Sequence, residues 1–254
     1  MNAGQYSANE NIAGRVAVVV GGAGGIGRAI AAYLAKAGCR LGLVDLEQEA
    51  LEAAPRDLGG GAIACAADIT DRAQVDRAMQ EIAAELGPIT ILVNSAGINT
   101  RERTLADMSP EQWERVVAVN LNGVFHCTQA VLPGMREQKG GMIVTVVSTA
   151  GLLTSPGAGS HYCAAKRALL SLTESINIEE GRNGIRACSI CPGEVGTQLI
   201  DKRPQAPSPE RRAAMLRPED VAEAVLYVVT RPARVTVSDI VIWPSAQISG
   251  IFTV

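Results

Sequence analysis

The chain has 254 residues, 47% hydrophobic and 19% charged, with 23 Lys and Arg against 26 Asp and Glu for a formal charge of −3. That composition excludes a disordered chain, and the sign of the charge argues against a nucleic-acid partner. Only 3% of the residues are aromatic, too few for a base-stacking platform.

In chain order, short β-branched runs alternate with longer helical stretches. Arg15–Val20 predicts a strand, Ile26–Ala37 a helix, Arg40–Asp45 a strand and Glu47–Ala53 a helix. Ala62–Ala66, Thr90–Asn94, Met142–Ser148 and Ile185–Cys191 follow as strands, with Asp239–Ile242 a short last one. Asp71–Leu86, Pro110–Gln138, Ser160–Arg182 and Pro218–Thr230 read as helices. The third of the chain's long helices opens on Ser109-Pro110-Glu111-Gln112, with serine at the N-cap, proline at the first helical position and glutamine set to close a capping box. Alternation of this kind predicts βαβ units: an α/β fold with a doubly wound parallel sheet and helices on both faces. The strands are continuous apolar runs, VAVVV at 16–20 and MIVTVV at 142–147, as strands covered on both faces should be. Residues 1–14 read as a flexible tail and 15–254 as one domain.

Six cysteines do not make a disulfide scaffold, and Cys188 and Cys191, without a second CxxC to match them, read as two thiols in a buried strand of a reduced, cytoplasmic protein. The N-terminus has no apolar segment of the secretory kind. The charge-free segments Val116–Met135 and Gly141–Ala165 carry too many polar side chains for a membrane span. The first is apolar around most of its circumference, so one side is expected on the sheet and the other on a second copy of the chain, giving a homodimer or homotetramer. The apolar tail Ile240–Val254 is also expected to pack against something. His126 and His161 have no carboxylate cluster at ligand spacing and read as core or loop histidines, so no metal is expected.

After the first strand comes Gly21-Gly22-Ala23-Gly24-Gly25-Ile26-Gly27, then a helix. Glycines there permit a tight turn and bring backbone N–H groups close to a pyrophosphate, and the helix N-terminus adds partial positive charge. Asp45 ends the second strand, where a carboxylate accepts hydrogen bonds from an adenosine ribose and repels a 2′-phosphate. With Leu46 beside it and no cation in the turn, NAD is favoured over NADP. Tyr162 and Lys166 lie four apart on one helix face. A free tyrosine has a pKa near 10, so a tyrosine base needs roughly 3–4 kcal/mol of phenolate stabilisation, which an ammonium and a charged nicotinamide can supply.

Gly21, Gly25 and Gly27, then Asn94-Ser95-Ala96-Gly97, Asn120, Ser148, Tyr162-Cys163-Ala164-Ala165-Lys166, and Pro192-Gly193 before Thr197, together resemble the short-chain dehydrogenase/reductase superfamily from about Arg15 to Thr230. The resemblance implies a Rossmann-like single domain. It implies Tyr162 as general acid/base, with Lys166 on the nicotinamide ribose and lowering the tyrosine pKa. Ser148 would bond the substrate oxygen, and Asn120 would hold a water of a proton relay. Asp68 would contact the adenine, Asn94 and Gly97 would wall the adenosine ribose, and Thr197 would meet the carboxamide. Ile26, Ile69, Ala96, Pro192, Gly193 and Val195 complete the expected cofactor contacts. Departures from the family's pattern are Val20 before the first glycine, Ser95 within NSAG, VSDIVIWPSAQ near the C-terminus, and a gap of 14 from Ser148 to Tyr162, which leaves Thr149 as the alternative hydroxyl.

The substrate is expected at the carboxyl ends of the strands, among Ile98–Arg103, Leu152–Gly159 and Glu194–Leu216. Lys202, Arg203, Arg211 and Arg212 in the last segment suit an anionic substrate, but a solvated mobile lid is the preferred reading. The expected activity is NAD-dependent hydride transfer to or from a small secondary alcohol or ketone. The rivals are a catalytically inactive NAD-binding regulator and, on the same fold, a nucleotide-sugar epimerase or dehydratase, for which 254 residues leave little room.

Overall fold

A computed structural model describes residues 10–51, 61–201 and 203–248. Strand β1 (Val16–Val20) leads into helix α1 (Gly25–Lys36), then β2 (Arg40–Asp45), β3 (Ile63–Ala66), α2 (Arg72–Leu86) and β4 (Ile89–Asn94). Helix α3 (Pro110–Val117) runs through a π-helical turn (Ala118–Asn122) into α4 (Gly123–Glu137). There follow β5 (Gly141–Val146), α5 (Ser160–Glu180) and β6 (Ile185–Pro192), the short helices α6 (Gln198–Asp201) and α7 (Pro209–Ala213), α8 (Pro218–Val229), β7 (Asp239–Ile242) and α9 (Ser245–Ile248).

All seven strands are parallel, in the order β3-β2-β1-β4-β5-β6-β7. The architecture is the expected Rossmann-like doubly wound sheet. Burial follows the pleat. Ala17 and Val19 of β1 pack with Ile30 and Leu34 of α1 and with Val221, Val225 and Val229 of α8. Val16, Val18 and Val20 point the other way, against Val75, Met79 and Ile82 of α2 and Cys127, Val131 and Met135 of α4. β1 is buried throughout, which is why it needs no polar alternation. Because β1 has β2 on one side and β4 on the other, the winding reverses there, and a crevice opens past the carboxyl ends of β1 and β4.

Some expectations change in detail. The helix expected over Pro110–Gln138 is interrupted: the Gly123 N–H donates to the Ala118 carbonyl five residues back, and the bulge carries Asn120. The capping box at Ser109 forms as expected, with Ser109 Oγ accepting from the Gln112 N–H and Gln112 Oε1 from the Ser109 N–H. Helices α6, α7 and α9 were not anticipated, being of four or five residues. α7 nevertheless has Ser208 at its N-cap and Pro209 behind it, the same signature as Ser109-Pro110. Of the expected N-terminal tail, residues 1–9 lie outside the described residues, while the Glu10 N–H donates to the Thr230 carbonyl and Ile12 is buried. Residues 52 and 53 of the helix expected over Glu47–Ala53, and 249–254 of the apolar C-terminal tail, also lie outside the described residues. Cys188, Cys191 and His161 are buried as expected, and the cysteines are free. Among the described residues, no helix is long and apolar enough to cross a membrane, and no group of His, Cys, Asp or Glu is placed to hold a metal ion.

Candidate active site

The glycine turn is shaped by close backbone approach. Gly21 has φ +79°, and a Cβ there would lie 2.6 Å from the Ala96 nitrogen. A Cβ on Gly27 would lie 2.0 Å from the Gly21 carbonyl oxygen, so no side chain fits at either position. The Gly21 N–H donates to the Val44 carbonyl at 2.7 Å, tying the turn to β2. Gly24 is the N-cap of α1 and offers no side chain, and no acidic residue sits in the first turn. The first N–H groups of α1 are therefore left without a side-chain cap, next to Ile26, which suits them to a pyrophosphate. Asp45 stands at the end of β2, with one carboxylate oxygen accepting from the Ala23 N–H.

The residues expected on the adenosine side follow β3 and end β4. Asp68 accepts from the Thr70 N–H and hydroxyl at 2.9 and 2.7 Å. Ile69 is buried, and a Cβ on Gly123 would sit 2.5 Å from it. His126 Nδ1 meets the Ile69 carbonyl at 2.9 Å. At the end of β4, Asn94 is 1% exposed; its Nδ2 reaches the Thr128 hydroxyl at 3.4 Å, but its Oδ1 and the neighbouring Ser95 Oγ are buried without a partner. Ala96 abuts the glycine turn.

Two of the side chains expected to be catalytic converge on Gly97: a Cβ there would lie 3.6 Å from both Asn120 Oδ1 and Lys166 Nζ. Asn120, fully buried in the π-helical turn, accepts from the Ile98 N–H at 2.8 Å and donates to the Ile98 carbonyl at 2.9 Å. Lys166, 3% exposed, donates to the Val146 carbonyl at 3.0 Å and stands 5.6 Å from the centroid of the Tyr162 ring. Burial pulls the Lys166 ammonium down to about 8. The Ser148 hydroxyl lies near enough to Tyr162 to favour its phenolate, and its Oγ accepts from the Ala150 N–H. Thr149 instead opens a 3₁₀ turn, its carbonyl accepting from the Leu152 and Leu153 N–H groups. In the protein alone, burial pushes the Tyr162 phenol up to about 12, and the Ser148 hydroxyl and the charges of Arg103 and Arg203 oppose this in part.

The loop after β6 closes over the glycine turn. The Gly193 N–H donates to the Ile242 carbonyl at 2.8 Å, and a Cβ on Gly193 would meet Gln247 and Pro244. Pro192 and Val195 are buried, and Val195 bridges to Leu216. The Thr197 methyl lies 3.1 Å from where a Gly25 Cβ would be, so the expected carboxamide-side and phosphate-side residues face each other. Sequence reasoning did not single out Arg103, which is 9% exposed and close enough to bias Tyr162. It lies in a segment expected near the substrate, but nothing in its sequence neighbourhood marks it as buried.

A family model described as short chain dehydrogenase matches residues 15–208. The chain belongs to the short-chain dehydrogenase family. Over 232 residues it is 35% identical to 2-(S)-hydroxypropyl-CoM dehydrogenase 3 of Xanthobacter autotrophicus, covering 86% of this chain and 90% of that protein. Among solved structures, 3-ketoacyl-(acyl-carrier-protein) reductase from Brucella melitensis, complexed with NADH, superposes with a TM-score of 0.84 at 28% identity, over 91% of this chain and 97% of that one. Alcohol dehydrogenase from the archaeon Thermococcus sibiricus, complexed with 5-hydroxy-NADP, gives 0.83 at 26%, over 92% and 97%. The protein is thus an oxidoreductase of the short-chain dehydrogenase family. Its bare glycine cradle, the uncapped start of α1 and the unpartnered Asn94 Oδ1 fit a dinucleotide of the kind held by those two structures.

Proposed function

We propose that the protein is an NAD-dependent oxidoreductase interconverting a small secondary alcohol and its ketone, with Tyr162 as the proton-transferring group. The observation that carries this reading is the meeting of Ser148, Tyr162, Lys166 and Asn120 at the carboxyl ends of β4 and β5. A protein that only bound NAD would have no use for a half-buried tyrosine beside a serine hydroxyl and a buried ammonium.

In the oxidation direction, Tyr162 as phenolate takes the substrate's hydroxyl proton while the carbinol carbon loses its hydride. Ser148 donates to the oxygen that becomes the carbonyl and steadies charge developing there. When bound, the nicotinamide supplies the hydride-accepting carbon and, oxidised, a positive charge beside the phenol. Lys166 uses one N–H on the Val146 carbonyl, leaving two for the nicotinamide ribose and for support of the phenolate. Asn120 uses one N–H and one lone pair on Ile98, leaving one of each for a water that carries the tyrosine proton outward. Gly21, Gly25, Ile26 and Gly27 would hold the pyrophosphate and Asp45 the adenosine ribose. Asp68, Ile69, Asn94 and Ala96 would surround the adenosine, and Pro192, Gly193, Val195 and Thr197 the nicotinamide.

The test is a panel of small secondary alcohols with NAD and of ketones with NADH, followed by the near-ultraviolet absorbance of the reduced cofactor. Turnover that depends on Tyr162 supports the reading. Hydride transfer confined to primary alcohols or aldehydes, or retained in full by Tyr162→Phe, overturns it.

A further inference from the structure

Arg103 is a buried cation with an unfilled donor. It is 9% exposed, its Nη1 donates to the Ala158 carbonyl at 2.9 Å, and its Nε–H has no partner. No carboxylate among the described residues forms an ion pair with it: Arg203 and Arg211 share Glu194, at 2.6 and 2.8 Å, and Arg212 pairs with Asp201.

The neighbouring histidine does not take up this donor. His161 Nε2 meets the Thr100 hydroxyl at 2.7 Å, and that hydroxyl gives its own hydrogen to the Glu102 carbonyl at 2.8 Å. Thr100 can therefore only accept, which places the histidine proton on Nε2 and leaves Nδ1 a bare, unpartnered acceptor. A Cβ on Gly159, three residues before Tyr162, would lie 3.1 Å from Arg103 Cδ and 3.0 Å from His161 Nδ1. The guanidinium is therefore held against the turn that opens the tyrosine helix.

Beside it opens a cavity of about 510 Å³ lined by Asn99, Arg101, Asp201, Arg203, Pro204 and Ala206. Asn99 shares the Ala158 carbonyl with Arg103, which joins the cavity wall to the buried cation. Arg101 is exposed on its rim. Arg101 and Arg103 thus stand beside Arg203, Arg211 and Arg212, of which the last three share the two carboxylates Glu194 and Asp201, in a chain whose overall charge is −3. Glu102 acts on Arg103 only at a distance, its carboxylate being engaged by Gln112. A desolvated guanidinium without a directly paired carboxylate is costly, and its planar donors suit an oxyanion. The positive charges of Arg103 and Arg203 also favour the Tyr162 phenolate.

We propose that the substrate is a compact hydroxy or keto compound carrying an oxyanion group, bound by Arg103 with Arg101 and Arg203 at the rim, while its carbinol carbon faces Tyr162. This rests on the alcohol–ketone reading and names its substrate class. Arg103 is then the specificity-determining residue.

The test compares 3-oxobutanoate, 2-oxopropane-1-sulfonate and acetonyl phosphate with uncharged methyl 3-oxobutanoate. Two quantities are read: kcat/KM with NADH, and calorimetric binding of the same ketones to the NAD-saturated protein, where reduction cannot proceed. At least one anion should exceed the ester by about 10–100-fold in both, the weight of a charge-assisted hydrogen-bonded pair. Which anion leads separates a planar carboxylate from a tetrahedral sulfonate or phosphate. Arg103→Gln should cut the anion preference at least about tenfold, Arg103→Lys should restore part of it, and Arg101→Gln should lower it less. If Arg103→Gln fails to fold, the double variant Arg101→Gln, Arg203→Gln serves in its place. An ester that binds as well as every anion, or a preference that survives in folded Arg103→Gln, overturns the proposal. Arg103-dependent anion binding without reduction of any ketone keeps Arg103 as the oxyanion site and sinks the alcohol–ketone reading. Efficient reduction of the ester alone does the reverse.

Discussion

Asp45 and Ala23 are joined across the glycine turn: Oδ2 of the carboxylate accepts the Ala23 N–H at 3.0 Å, while Oδ1 accepts the N–H of Leu46 at 2.8 Å. Both oxygens are thereby fixed in direction, and each retains lone-pair capacity toward the crevice. A ribose 2′- and 3′-hydroxyl pair can donate to them, whereas a 2′-phosphate would meet a fixed negative charge. Like charges about 4 Å apart cost roughly 4 kcal/mol at an effective dielectric of 20, and lost ribose hydrogen bonds add about 1–3 kcal/mol. With half of this screened, kcat/KM should favour NAD over NADP by about 10²-fold or more. Asp45→Ala should erase most of that gap. A wild type that prefers NADP would show that Asp45 does not face the ribose.

Tyr162→Phe removes the phenolic oxygen and keeps the ring. Turnover should fall by about 10²–10⁴-fold, while NAD binding, measured by titration, stays within a few-fold of wild type. The pH dependence has a definite sign. Burial raises the Tyr162 phenol to about 12 in the protein alone, so the phenolate is the minor form at neutrality. Alcohol oxidation should therefore accelerate as pH rises from about 6 toward the lysine limit near 8, where Lys166 begins to lose its charge. Ketone reduction, which needs the protonated phenol, should not share that rise.

Glu180 ends α5 as the buried partner of a half-exposed Arg136. Arg136 Nε donates to Glu180 Oε2 at 2.9 Å, Arg136 Nη2 reaches the other oxygen, and Asn183 Nδ2 adds a bond at 2.8 Å. These donors, the Arg136 guanidinium first, hold the Glu180 carboxyl down to about 2. A depressed carboxylate stabilises the fold above its unfolded pKa, near 4.3, and loses that contribution as pH falls through its folded value near 2. Discounted for the exposed arginine, Glu180→Gln should cost about 1–3 kcal/mol, a Tm drop of roughly 3–8 °C at neutral pH by calorimetry. The difference between wild type and variant should shrink below pH ~4. An unchanged Tm would remove the pair from the stability account.

Apolar side chains on two helices point to self-association. Phe125 on α4 is 44% exposed and Ile178 on α5 is 75% exposed. Large exposed apolar groups on helices otherwise packed into the core are what an interface between copies would cover. We expect a homodimer or homotetramer by light scattering at micromolar concentration, and Phe125→Asp or Ile178→Asp should shift it toward monomer. A wild type that stays monomeric there refutes the expectation.

The parallel order of the sheet was legible because strands buried on both faces leave an unmistakable mark: VAVVV has no polar side to present. The cofactor turn was legible for a similar reason, since only glycine tolerates a Cβ position 2.0 Å from a carbonyl oxygen. The π-helical turn at Asn120 was not legible, because an extra residue in a helix disturbs no side-chain pattern on either flank. Spacing left Ser148 and Thr149 level, and the 3₁₀ turn that separates their surroundings was not legible, as neighbouring hydroxyls differ only in which way the chain turns. Proximity of Tyr162 to Lys166 was legible from their spacing, but the burial that raises the phenol in the protein alone was not. Arg103 escaped notice because a sequence does not say which of several arginines is desolvated.

The all-parallel sheet also governs how the chain reaches its native state. No neighbouring pair is joined by a hairpin, so every pairing waits for an intervening crossover. The Thr90 hydroxyl that donates to the Val16 carbonyl is 74 positions away in sequence. During synthesis β1 therefore has one unsatisfied flank, rich in valine, until α2 is complete and β4 arrives. High contact order makes this assembly slow, and an exposed valine-rich edge is the part of the molecule through which nascent chains would stick to one another. Recovery on dilution from denaturant should accordingly fall as protein concentration rises.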